Sequence, residues 1–163
     1  MKHKFLILTL LGGLLLPAYI QAQTKELATV VEVNSQFALD LYQRLGQKPG
    51  NKFFSPYSIS TALGMTYVGA KGQTAQEMAS TLHFALKNEQ LHPAFGELIG
   101  KLQGTDKKRD FQLTTANSLW GNLNLDISGK FLRTTQTDYQ ASFELVDFIN
   151  DTEAARKKDQ RLG

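Results

Sequence analysis

The sequence of 163 residues contains no cysteine, only three histidines and a single tryptophan. The missing cysteine excludes a disulfide framework, a thiol nucleophile, a zinc–thiolate site and a cysteine-linked lipid anchor. The chain also lacks the G-x-S-x-G, H-E-x-x-H, G-x-x-x-x-G-K-[ST] and G-x-G-x-x-G motifs of common hydrolases, metalloproteases and nucleotide-binding proteins. We therefore expect neither an enzyme nor a bound metal or cofactor.

The residues that are present have the composition of an ordinary globular protein. Hydrophobic residues make up 42% of the chain and charged residues 20%. Both values exclude a disordered or collagen-like chain, and the length fits one domain.

The first 22 residues have the layout of a secretory signal peptide. Residues 2–4 are basic, residues 5–16 form an apolar run, and Ala22 is a small residue at a suitable cut. The run is shorter than the ~20 apolar residues of a transmembrane helix, so a signal anchor is the weaker alternative. Cleavage after Ala22 would leave residues 23–163 as the mature domain and lower the net charge of +3 by two.

A mature chain that is nearly neutral does not have the charge of a nucleic-acid-binding protein. It also contains no second long apolar run, so we expect no membrane contact after signal cleavage. The predicted location is extracellular, or periplasmic if the source is a Gram-negative bacterium.

The spacing of apolar residues predicts a mixed chain of helices and short strands. The predicted strands are far apart in the sequence, so they need not pair with each other. The predicted elements are helices over Leu27–Leu45, Ser55–Val68, Glu89–Leu102 and Ile127–Tyr139, a helix capped by Thr74, a helix from Asn150 onward, and strands over Lys52–Ser55, Phe111–Trp120 and Ala141–Phe148.

The helix after Ser55 is the most informative of these elements. Ser55 is suited to cap its free N–H groups, and Pro56 is tolerated in the first turn. The segment Ile59–Val68 is apolar nearly all round. A helix without a polar face requires neighbours on every side, so we expect this one to be central and buried.

Serine and histidine residues are the first candidates for a catalytic nucleophile or a metal ligand. Ser55 and Ser58 could act as nucleophiles, but no base lies near them in the sequence. His83 and His92 lack a carboxylate at ligand spacing. Surface or capping histidines are therefore the favoured interpretation over metal ligands.

Two polar segments allow alternative interpretations. Lys107, Lys108 and Arg109 could bind a polyanion, but Asp106 and Asp110 flank them, which favours a solvated loop. Asn150 begins an Asn-Asp-Thr glycosylation sequon. Use of Asn150 for glycosylation and chance occurrence of the sequon stand as equal alternatives.

Three stretches of the chain resemble the serpin family closely. Residues 51–78 contain an F-S-P-Y-S-I-S core, then an apolar helix and a G-A-K-G-Q-T-A-Q-E-M turn. Residues 111–120 contain F-Q-L and A-N-S-L-W, and residues 146–156 contain V-D-F and E-A-A-R. These motifs follow each other in the family's order and spacing.

The resemblance implies an α+β fold that is the N-terminal part of the serpin fold. Phe53-Phe54 would form an inner strand of the second sheet, and the helix after Ser55 would be the central buried helix. Phe111–Trp120 and Phe143–Phe148 would be strands of the main sheet. Asn150 onward would begin the helix that lies across this sheet, where we expect the serpin domain to be truncated.

The resemblance also implies a mechanism and roles for individual residues. In serpins a target serine or cysteine protease cleaves an exposed reactive loop, which then inserts into the main sheet and traps the acylated protease. Ser55, Pro56 and Ser58 match the shutter, where that sheet opens. Asn117 and Trp120 match positions that support the fold.

No segment of the 163 residues resembles the reactive loop. The family resemblance predicts a secreted serine-protease inhibitor. Because the reactive loop is missing from these 163 residues, we expect this chain to be inactive by itself. The alternatives are a non-inhibitory binding or chaperone-type protein of serpin-like sequence, or a fragment without function.

Overall fold

The computed structural model describes residues 4–104, 110 and 113–159. Six helices and one sheet of two strands form this part of the chain, which confirms the predicted α+β class. In chain order the elements are α1 (Lys4–Gly46), α2 (Pro56–Tyr67), α3 (Gly72–Thr81), α4 (Asn88–Gln103), β1 (Ser118–Asn122), α5 (Gly129–Tyr139), β2 (Ser142–Val146) and α6 (Thr152–Asp159).

The first helix contains the predicted Leu27–Leu45 segment and ends at Gly46, as expected. It also runs without a break through Ala22, the predicted cleavage point. Among the residues that the structure describes, no helix is long and apolar enough to cross a membrane. The division into residues 1–22 and 23–163 stays a prediction.

The core lies where α1, α4 and α5 pack together, with α2 against α1 and α5. Apolar side chains at steps of three and four residues place one face of each long helix inside. The buried apolar residues of α1 and α4 are Val30, Val33, Phe37, Leu91, Ala94, Phe95 and Ile99.

The helix α2 is buried on one side only. Gly64, Met65 and Tyr67 are inside, whereas Ala62 and Leu63 face solvent. The expectation of burial on every side is therefore wrong for this chain. Within the described ranges α2 contacts mainly α1 and α5, and part of its surface stays open to solvent.

The predicted strand over Lys52–Ser55 is also wrong. Residues 51–55 adopt no regular secondary structure, and Phe53 is fully exposed. A strand requires a partner for its backbone N–H and C=O groups. No strand among the described residues lies beside this segment.

The two strands form a parallel pair with Ser118 opposite Ser142 and Asn122 opposite Val146. Because α5 joins them, the strand–helix–strand unit provides the crossover that parallel strands need. The expectation that distant strands need not pair is thus corrected. β1 also begins later than predicted: residues 113–117 are not in a strand, and residues 111–112 lie outside the described residues.

Of two further helix starts, one differs from the predicted position. α3 begins at Gly72 with Lys71 as its N-cap, so the predicted cap at Thr74 is wrong. α6 begins at Thr152, close to the predicted start.

Candidate functional site

The serines that match the shutter form the entrance to α2. Ser55 has extended backbone angles, and its Oγ accepts a hydrogen bond of 3.2 Å from the Ser58 backbone N–H. The Ser58 hydroxyl donates to the same oxygen over 2.9 Å. Pro56 occupies the first turn, where its missing N–H costs nothing. The predicted cap is confirmed.

Neither serine is placed as a nucleophile. Both are exposed, and within the described ranges no hydrogen bond joins them to a histidine or a carboxylate. An activated serine needs such a base within hydrogen-bond reach. The two hydroxyls instead bond to each other at the point where the chain enters α2.

Replacing Ser55 by alanine is expected to destabilise the chain by about 1 kcal/mol, because two hydrogen bonds at the N-cap are lost. Ser58→Ala leaves the Ser55 cap in place and should cost less, about 0.5 kcal/mol. Ser55→Asp should retain most of the stability, since aspartate is an equally good cap. The midpoint of urea unfolding followed by circular dichroism measures all three. Equal losses for Ser55→Ala and Ser55→Asp would contradict a capping role.

Asn117 joins the end of α5 to the start of the sheet. Its Nδ2 donates to the Tyr139 carbonyl oxygen over 3.1 Å, and its own carbonyl accepts from the Ser142 N–H over 3.0 Å. Trp120 lies in β1 opposite Glu144 and is half-buried. Asn117 thus links three consecutive elements.

His92 lies in a different environment from the one predicted. It was predicted as a surface or capping histidine, but only 4% of it is exposed. Its Nδ1 lies 2.8 Å from the Tyr139 hydroxyl, in a hydrogen bond between α4 and α5. Burial lowers the pKa of His92 to about 4 and raises the pKa of Tyr139. The imidazole is therefore neutral at pH 7.

The His92–Tyr139 pair belongs to an aromatic cluster in the core. The His92 ring meets Tyr67 and Tyr139 with ring centroids 6.1 and 5.8 Å apart. Phe95 packs against Tyr139 with centroids 5.5 Å apart. The sequence does contain a signal for this burial: His92 stands three residues before Phe95 and seven before Ile99, on the apolar face of α4.

The second candidate histidine, His83, lies near the surface as predicted. His83 follows the end of α3 with a φ of 57°, the left-handed conformation common just after a helix. Its Nε2 lies 2.9 Å from the Asp40 carboxylate, and both side chains are partly exposed. His83 thus connects the end of α3 to α1.

The remaining candidate residues lie apart from this region. Lys107, Lys108 and Arg109 are outside the described residues. Asn150 is exposed, and its side-chain amide donates to Asp147 over 2.9 Å. Hydrogen bonds from Asn150 lower the pKa of the Asp147 carboxyl. Among the described side chains, no three His, Cys, Asp or Glu residues are grouped so as to hold a metal ion.

Comparison with known proteins gives a consistent result. The family model described as Serpin (serine protease inhibitor) matches residues 32–160. Serpin B6 of Pongo abelii is 40% identical over 131 residues, which cover 78% of this chain and 34% of that protein. Leukocyte elastase inhibitor of Xenopus laevis is 39% identical over 127 residues, which cover 76% of this chain and 33% of that protein.

A solved structure shows the same fold. The crystal structure of human thyroxine-binding globulin complexed with thyroxine matches with a TM-score of 0.71 and 32% identity. The match covers 83% of this chain and 37% of that one. The chain thus spans about a third of the length of the curated relatives that it matches.

Proposed function

The chain belongs to the serpin family, whose model is described as a serine protease inhibitor and which includes a relative named leukocyte elastase inhibitor, and we propose on this ground that it is part of a serine-protease inhibitor. The observation that carries this proposal is the family match over residues 32–160. The described residues form part of the serpin fold, as the match to a solved serpin structure shows.

In this proposal the parallel strands β1 and β2 belong to the sheet that receives the cleaved reactive loop as an added strand. Such an insertion releases strain stored in the uncleaved inhibitor. The Ser55 and Ser58 hydroxyls would act beside the sheet as a hinge. A hydroxyl both donates and accepts a hydrogen bond, so it can serve two backbone arrangements in turn. Their mutual hydrogen bond of 2.9 Å supports this role.

The supporting role of Asn117 is proposed on the same basis. Its two hydrogen bonds hold β1 and β2 in register with the end of α5. Export of the chain is also a proposal, which rests on the basic, apolar and small residues of the first 22 positions.

The 163-residue chain by itself is expected to form no covalent complex with a serine protease. None of its segments resembles a reactive loop, and a trap needs a bond that the protease can cleave. Incubation with trypsin, chymotrypsin and elastase, followed by SDS gel electrophoresis, tests this expectation. A known inhibitory serpin in parallel lanes is the positive control. One SDS-stable band of chain plus protease would overturn the prediction.

A second candidate function is binding without inhibition. The structural match to thyroxine-binding globulin, solved with thyroxine, favours a carrier of a small molecule. Titration of the chain with thyroxine, followed by the fluorescence of Trp120, tests this alternative. Saturable quenching together with no protease complex would favour the carrier.

A further inference from the structure

A groove of about 290 Å³ lies between the first two turns of α4 and one face of α5. Lys130, Thr134 and Asp138 form the α5 wall, and their spacing of four residues places them on the same helix face. Glu89 and His92 belong to the opposite wall. The groove is separate from the start of α2, where Ser55 and Ser58 form the proposed hinge of the inhibitor.

Charges are unevenly distributed along the groove. Glu89 and Lys130 affect the His92 imidazole with opposite signs, so each charge opposes the other at that end. His92 itself is neutral at pH 7, because burial lowers its pKa to about 4. The groove therefore holds two carboxylates against one ammonium group.

Asp138 is the charge that is not offset. It is half-buried, and burial raises the pKa of its carboxyl. Among the residues described, its carboxylate has no ion pair and no hydrogen bond. It stands eight residues after Lys130 on α5, which corresponds to about 12 Å along a helix. Asp138 thus keeps an uncompensated negative charge in a sheltered position.

His92 adds a second unsatisfied polar group. The residue is almost wholly buried and lines the groove, and its Nε2 has no hydrogen-bond partner among the described residues. A buried polar atom without a partner costs free energy that a bound ligand can recover. Val68 and Pro93 supply apolar surface in the same groove.

We propose that the groove binds a small organic amine, whose ammonium group is held by Asp138 and whose apolar part lies against Val68 and Pro93. A protonated amine supplies both the positive charge and the N–H donors that the Asp138 carboxylate lacks. The neutral imidazole of His92 does not repel such a cation. The volume admits a molecule of about ten heavy atoms, since one water occupies roughly 30 Å³ of liquid.

Three probes of similar size but different charge test the proposal: benzylamine, benzyl alcohol and benzoate. Each is titrated into the 163-residue chain at pH 7, and the NMR signals of the His92 ring are followed. We expect saturable shifts with benzylamine at millimolar concentration, and affinities about tenfold weaker for the alcohol and the acid, equivalent to one favourable charge contact. Equal affinities for all three probes, or no shift at all, would overturn the proposal.

Two variants on α5 should change the affinity in opposite directions. Asp138→Asn should weaken benzylamine binding about tenfold, because the charge contact is lost. Lys130→Met should strengthen it about twofold, because a competing ammonium group is removed. Asp126→Asn, outside the groove, is the matched control and should have no effect. Opposite signs cannot arise from general unfolding, and an unchanged affinity in Asp138→Asn would refute the site.

Discussion

Gly96→Ala is expected to destabilise the chain by about 1 to 3 kcal/mol, the usual cost of overpacking a tight contact. A Cβ atom at Gly96 would lie 2.9 Å from the carbonyl oxygen of Asp138 and 3.2 Å from its Cα. Both are backbone atoms, so they cannot rotate away as the end of a side chain can. The helices α4 and α5 would have to separate, which would disturb the His92–Tyr139 contact between them.

Gly100→Ala provides the control within the same helix, one turn further on. A Cβ at Gly100 meets no atom within 4 Å. Alanine there should stabilise the chain by up to about 1 kcal/mol, because it is the better helix former. The rate of thermolysin cleavage under native conditions reports the opened population of each variant. Similar rates for the two variants would contradict a close approach of α4 and α5 at Gly96.

Acidification from pH 7 to pH 5 is expected to destabilise the chain by about 1 to 2 kcal/mol through His92 alone. The folded pKa is about 4, lowered from 6.5 by burial. The unfolded chain therefore binds the proton more readily over this range, and stability falls as the pH falls through 6.5 toward 4. The Glu89 carboxylate reduces the shift, and the Lys130 ammonium adds to it.

The variant that tests this prediction is His92→Phe. It removes the titrating group, so the loss of stability between pH 7 and pH 5 should become smaller. Urea unfolding at both pH values measures the difference. An unchanged pH dependence in His92→Phe would show that another group is responsible.

Local features of the chain were predictable from the sequence. The helical face of Leu27–Leu45, the end at Gly46 and the cap at Ser55 each depend on residues within one or two turns. Their physical causes are the spacing of apolar side chains and the pairing of free N–H groups, which neighbouring residues determine. The family resemblance likewise rests on contiguous motifs, and the comparisons confirm it.

Features that depend on distant partners were not predictable in this way. Phe53 lies in a short apolar run that predicted a strand, but no strand of the described residues lies beside it. The hydrogen bond between His92 and Tyr139 joins residues 47 positions apart, and nothing near His92 reveals its partner. The pairing of β1 with β2 depends on the direction in which α5 returns the chain. Predicting each of these features requires knowledge of the path of the chain in three dimensions.

The late position of Tyr139 in the sequence has a consequence for synthesis on the ribosome. Val30 and Phe95 belong to the core that Tyr139 completes. At about 5–20 residues per second, roughly 5 to 20 s separate the synthesis of Val30 from that of Tyr139. During this interval the apolar faces of α1, α2 and α4 are not yet covered by α5. We therefore expect the nascent chain to expose an apolar surface that a chaperone can bind until α5 emerges.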